Sequence, residues 1–172
     1  MADKTLLHQM DSLECFSDRA EVYAQYCPDY PVQVIDTILE GLNMGAGLVA
    51  ADVGAGTGIS SRLLGDRGLQ VYAIEPNLAM RQAATSHPQV TFQAGNTENT
   101  GLPDTSVDLV TCFQAFHWFD PIRCLPEFHR ILKPSGRLAA VWNIRDRADK
   151  FTNEYSEISS SPLYQLIMTT YL

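Results

Sequence analysis

Three observations predict an α/β fold built on a doubly wound, mainly parallel sheet with helices on both faces. Short apolar runs alternate with segments of helical periodicity, at the spacing of βαβ crossovers. The first of these runs is short and apolar, as in a strand buried on both faces. The first run, "GLVAADV", passes straight into "GAGTG", which sets glycines at every second position of a strand-to-helix turn.

The elements follow in order. Residues 1–31 carry a polar helical pattern stopped by the two prolines and the aspartate of "YCPDYP". "VQVIDTILEGL" has apolar residues at helical spacing, with Gly41 as its C-terminal stop. After the first strand and its glycine turn, "ISSRLLGDRG" predicts a helix closed by glycines. "LQVYAIEP" is the second strand, and "NLAMRQAATSHP" the second crossover helix with Asn77 as N-cap. "QVTFQAG" is the third strand and "SVDLVTCFQA" the fourth, separated by a turn at Leu102-Pro103-Asp104. "PIRCLPEFHRILKPSG" holds a helix ending before Pro134, and "RLAAVWNI" is the fifth strand. The remainder reads as helical on both sides of Pro162 and offers no further strand.

Composition excludes several function classes. The chain has 172 residues, 45% of them hydrophobic, enough for one core. A formal net charge of −8, without any basic run, disfavours binding to nucleic acid or anionic lipid. Cys15, Cys27, Cys112 and Cys124 lack metal-ligand spacing, so free reduced thiols and no metal are expected. The N-terminus has no apolar signal core, and no run is long enough to span a bilayer, so the expectation is a cytoplasmic protein without membrane contact.

The glycine turn invites a ligand, because glycine permits positive φ and lets a partner touch the backbone. An ordinary tight turn is the plainer alternative. A dinucleotide site needs G-x-G-x-x-G, but the third glycine would fall at Ile59. A P-loop needs Gly-Lys-Ser/Thr, and no lysine lies between Lys4 and Lys133. What stands is D-x-G-x-G-x-G, from Asp52 to Gly58.

With these motifs, residues 14–145 resemble the class I S-adenosylmethionine-dependent methyltransferases, and more closely the small-molecule branch called methyltransferase type 11. The resemblance implies a Rossmann-like fold, S-adenosyl-L-methionine as cofactor, and methyl transfer to a small-molecule acceptor. It implies one domain over 1–172, with a helical lid (1–45), a cofactor-binding core (46–145) and a helical C-terminal segment (146–172).

The cofactor residues implied are Asp52, Gly54, Ala55, Gly56 and Gly58 of the glycine turn, and Glu75, Pro76 and Met80 after the second strand. Glu75, ending an apolar run, has the two carboxylate oxygens that a pair of ribose hydroxyls requires. Asn96, Thr97 and Glu98 would line the adenine pocket; relatives carry an acid at the position of Asn96, whose amide oxygen can accept the adenine amino proton without charge assistance. Asp108 is read as structural, holding the start of the fourth strand. In "FQAFHWFD", Gln114 and Ala115 would touch the cofactor, and Phe116, His117 and Trp118 would wall the sulfonium, where cation–π attraction contributes about 0.5–2 kcal/mol. His117 is the candidate catalytic base, with packing in an aromatic cluster as its alternative. From the leading helix Phe16, Arg19, Tyr23 and Tyr26 are lid candidates, Arg19 facing the methionine carboxylate; Cys27 stands where relatives often have arginine.

Relatives continue for two more strands after the fifth. The sequence here leaves the fifth strand as a bare edge, and three expectations answer it: cover by the C-terminal segment, cover by a second copy in a homodimer, or a chain that is a shortened version of a longer protein. A cofactor-binding module without transferase activity is therefore the rival expectation.

Overall fold

The computed structural model describes residues 29–143. Nine elements order the described residues: α1 (Val32–Leu39), β1 (Val49–Val53), α2 (Ile59–Asp66), β2 (Gln70–Ile74), α3 (Leu78–Gln82), β3 (Val90–Gln93), β4 (Val107–Phe113), α4 (Pro121–Ile131) and β5 (Leu132–Val141). Two 3₁₀ turns, Met44–Ala46 and Phe116–Trp118, complete them.

All five strands are parallel, in the order β3-β2-β1-β4-β5. The chain winds outward from β1 through β2 to β3, then returns to pair β4 with the other side of β1. That reversal opens a crevice beyond the carboxyl ends of β1 and β4, where open α/β sheets bind ligands.

Side-chain parity divides the core. Ala50, Val71, Leu109 and Phe113 face one side with Ile35, Ile38 and Leu64 of α1 and α2. Ala51, Val53, Ile74, Val110 and Cys112 face the other with Cys124, Phe128 and Ile131 of α4. Both faces are thus covered, as the unbroken apolar runs require. Cys112 and Cys124 are buried free thiols, while Cys15 and Cys27 lie outside the described residues. Asp108 has the structural part expected of it, accepting from the Val49 backbone N–H at 2.9 Å and from Lys133 Nζ at 2.8 Å.

Two boundaries differ from the sequence expectation. The helix predicted over 77–88 stops at Gln82, although Asn77 caps it by accepting from the N–H groups of Ala79 and Met80. β5 begins at Leu132, so "KPSG" lies within the strand and not before it. Its register slips between the Val107–Leu132 and Leu109–Arg137 pairs, and Ser135 takes φ 68°. This is a bulge, which admits a proline and a left-handed residue without ending the strand.

The lid expected over 1–45 is described only from residue 29, and the segment 146–172 lies outside the described residues. Among the described residues no helix is long and apolar enough to cross a membrane.

Candidate cofactor site

The carboxyl ends of β1, β2, β3 and β4 surround one cavity. Of the residues expected there, Gly54, Ala55, Gly56, Glu75, Pro76, Met80, Asn96, Thr97, Gln114 and Ala115 line it. Trp118 does so as well, whereas Arg19, Phe16, Tyr23 and Tyr26 lie outside the described residues.

Glu75 organises the site. One carboxylate oxygen accepts from the Gly56 N–H at 2.9 Å, and the other from the Asn77 N–H at 2.9 Å. The side chain therefore ties the glycine turn to the turn after β2. Each oxygen keeps capacity for a further donor, since an ionised carboxylate offers about four acceptor sites. Burial raises the pKa of Glu75, opposed by the two backbone donors and by the nearby Arg81.

Five sequence-selected residues stand away from the cavity wall, each for a physical reason; Phe116, expected to wall the sulfonium, packs edge-on between Phe119 and Trp142 instead. Asp52 is fully buried behind the turn and accepts from Ser60 Oγ and Ser61 Oγ at 2.6 Å and from Thr111 Oγ1 at 2.9 Å. It fastens β1 to α2 and β4. Gly58 has φ 77°, and a Cβ there would meet the Phe92 ring at 2.5 Å, so packing explains its missing side chain. Glu98 pairs with Arg123 at 3.2 Å. His117 is exposed on the 3₁₀ turn, and its Nδ1 accepts from Trp142 Nε1 at 3.2 Å.

Gly54 lines the cavity, yet its Cβ would also collide with protein, at 2.8 Å from Ala115 Cβ and 3.1 Å from Phe119 Cζ. The alternating glycines thus answer mostly to the chain's own side chains. Gly56, with φ 57°, is the one whose amide Glu75 holds at the cavity.

Asn96 departs from the expected role in a different way. Its Oδ1 accepts from the Glu98 N–H at 2.9 Å and the Asn99 N–H at 2.8 Å, which uses both lone pairs in the local turn. No acceptor remains on that oxygen for an adenine amino group. An aspartate would hold the same turn with one oxygen and keep the second free. Asn96→Asp is therefore expected to tighten S-adenosylmethionine binding about 5-fold, the difference a charge-assisted hydrogen bond makes. Titration calorimetry on both proteins checks this, and equal or weaker binding by the variant rejects it.

The sequence reading passed over Tyr30, Thr57, Asn77, Phe113 and Phe119, which also line the cavity. Tyr30 and Phe113 stack with ring centroids 4.7 Å apart, and Phe113 and Phe119 bracket the aromatic run already singled out. Thr57 is the most informative. Among the described residues its buried Oγ1 has no hydrogen-bond partner, and such a group is costly unless something supplies one. Gln114 holds φ 52°, a strained conformation for a non-glycine residue of the kind that gathers at ligand sites.

These features fit an adenosyl sulfonium compound. An orphaned hydroxyl, a carboxylate with spare acceptor capacity and an aromatic wall of Phe113, Trp118 and Phe119 suit a polar, net cationic nucleoside. Among the described residues, no lysine or arginine lines the cavity to receive a pyrophosphate.

Residues 51–140 match the family described as methyltransferase domain, type 11, and the chain belongs to that family. It is 39% identical over 144 residues to an uncharacterized methyltransferase of Mycobacterium tuberculosis, covering 83% of this chain and 58% of the relative. It is 32% identical over 122 residues to the demethylmenaquinone methyltransferase of Paenarthrobacter aurescens, covering 70% and 48%. Among solved structures it is similar to one from Anabaena variabilis described as a methyltransferase from an antibiotic biosynthesis pathway. That match has 35% identity and a TM-score of 0.60, and covers 81% of this chain and 59% of the other. The chain thus spans less than two thirds of the length of each.

Proposed function

We propose that this chain binds S-adenosyl-L-methionine and directs its methyl group to a small-molecule acceptor by in-line displacement. The observation that carries the reading is Glu75, buried at the tip of β2 with one backbone donor on each oxygen and facing the cavity of the glycine turn. Family membership supports the reaction class. Support for a small acceptor comes from the demethylmenaquinone methyltransferase relative and from the acidic composition, which opposes nucleic acid.

When bound, the cofactor supplies an activated methyl group on a sulfonium, whose carbon–sulfur bond breaks with its electron pair returning to sulfur as the acceptor's lone pair bonds to the methyl carbon. The protein's residues have three tasks. Glu75 would receive the ribose hydroxyls, and the Thr57 hydroxyl would gain its missing partner from a polar group of the ligand. Phe113, Trp118 and Phe119 keep the reacting centre dry and narrow the angles of approach, so orientation provides most of the acceleration. His117, the residue before Trp118, lies outside the cavity wall and would be a polar group for an acceptor that reaches beyond it.

Calorimetry with S-adenosylmethionine, S-adenosylhomocysteine and NADH is expected to show binding of the first two and none of the third. Transfer of a labelled methyl group to a panel of small carboxylic acids, phenols and amines is expected to mark at least one. Binding without transfer to any acceptor would favour the non-catalytic module; binding of NADH alone would reject the cofactor.

A further inference from the structure

Trp142 and His117 are brought together by the sheet. Phe113 and Val141 are the last paired residues of β4 and β5, and the Gln114 N–H donates to the Val141 carbonyl at 2.8 Å. Trp142 is thereby delivered opposite the loop that follows β4. There its indole stands edge-on to Phe116, with ring centroids 6.3 Å apart and planes at 89°. Phe116 in turn packs edge-on against Phe119 of the cavity wall, at 5.8 Å. The indole is fixed by aromatic packing, and its N–H meets His117 Nδ1 at 3.2 Å.

This contact has one chemical meaning. An indole N–H only donates, so the ring nitrogen facing it must be the unprotonated one. In a neutral imidazole the proton then resides on Nε2, because the hydrogen bond to one nitrogen decides the state of the other.

We propose that Trp142 is a positioning residue that locks His117 in the neutral Nε2–H tautomer, so that His117 offers the methyl acceptor a hydrogen-bond donor and not a base. The proposal rests on the methyltransferase reading above and narrows it. A donor in place of a base would favour acceptors that present an oxygen lone pair and need lose no proton, such as a carboxylate or an oxygen that is already ionised. Partial burial of the ring, which lowers its pKa, keeps the neutral form in place near neutral pH. The base role expected for His117 from the sequence is thereby replaced: the nitrogen able to accept a proton is already occupied by Trp142.

The test is the histidine-ring region of a long-range ¹H–¹⁵N correlation spectrum of the uniformly labelled full chain, at a pH above the histidine titration. His117→Gln assigns the signals by difference. The expected pattern for His117 is a pyridine-type Nδ1 and a pyrrole-type, protonated Nε2. Trp142→Phe keeps the edge-on ring against Phe116 but removes the donor, and is expected to shift both nitrogens toward the averaged values of two exchanging tautomers. A reversed or averaged pattern in the parent protein overturns the proposal, as does a Trp142→Phe spectrum identical to the parent's. The parent spectrum needs no variant to fold and no cofactor to bind. Failure of cofactor binding would thus reject the methyltransferase reading while leaving the tautomer lock standing, and a reversed tautomer beside intact cofactor binding would reject the lock alone.

Discussion

Glu75→Gln is expected to weaken S-adenosylmethionine binding roughly 10- to 100-fold, about 1.5–3 kcal/mol, while moving the melting temperature by only a few degrees. The two effects separate because Glu75 does two things. Toward the proposed ligand it would be an anion facing a net cationic nucleoside, where losing a charge-assisted hydrogen bond costs about 1.5–3 kcal/mol. A carboxamide can also accept on one side only, so its NH₂ faces either a ribose hydroxyl or a backbone N–H. Toward the fold it holds Gly56 and Asn77 by their N–H groups, and that pair of contacts survives in part. The loss is offset because burial already disfavours the carboxylate, as its raised pKa records. Calorimetry paired with a thermal melt makes the measurement. Unchanged affinity would remove Glu75 from the site, and equal collapse of affinity and stability would reduce it to a loop clamp.

The same residue marks where sequence reasoning succeeds. Glu75 ends a buried apolar run next to a glycine turn, and both facts are local, so its place at the cavity was legible. The strand order's central members were legible for the same reason. β1 and β4 are buried along nearly their whole length, and continuous apolar runs report that directly, whereas β2 leaves Gln70 and Tyr72 exposed on one face. Asp52 looked equally like a ligand group, yet its partners Ser60, Ser61 and Thr111 come from α2 and β4 and meet only in the folded sheet. Gly54 and Gly58 were read as room for a ligand, whereas the rings filling that room, Phe119 and Phe92, are distant in sequence. Asn96 was the avoidable miss. An asparagine whose oxygen caps the N–H groups two and three residues on is a local turn signature, and "NTEN" carries it. Trp142 gave no signal at all, since its contact with His117 depends on the β4–β5 register.

Away from the cavity, Glu127→Gln is expected to cost about 1–2 kcal/mol of stability, less than a fully buried pair would, because the Arg130 side chain is 35% exposed and solvent screens it. Glu127 on α4 is 8% exposed, and its Oε1 accepts from the Thr100 N–H at 2.8 Å and Thr100 Oγ1 at 2.7 Å. Arg130 donates to both carboxylate oxygens at 2.8 Å, and also reaches the Leu102 carbonyl at 2.9 Å and Asp104 at 2.5 Å. This network ties the chain segment before β4 to α4, so the turn carrying Asn96 and Thr97 is held by a helix on the opposite side of that segment. The Arg130 hydrogen bonds, with the two from Thr100, hold the Glu127 carboxyl at a pKa of about 2, well below its usual 4.5. A depressed carboxylate stabilises the folded state above its unfolded pKa, and that contribution is lost as pH falls from 4.5 toward 2. Glu127→Gln has no such proton to take up. The stability gap between parent and variant, measured by urea unfolding, is therefore expected to be full at neutral pH and to shrink steadily below pH 4.5. For a domain of this size the neutral-pH gap corresponds to a melting temperature lower by roughly 5 °C. A gap that stays constant on acidification would mean that the cost comes from packing and not from the charge, and a variant as stable as the parent would show that the network merely decorates contacts already made by Phe128 and Ile131.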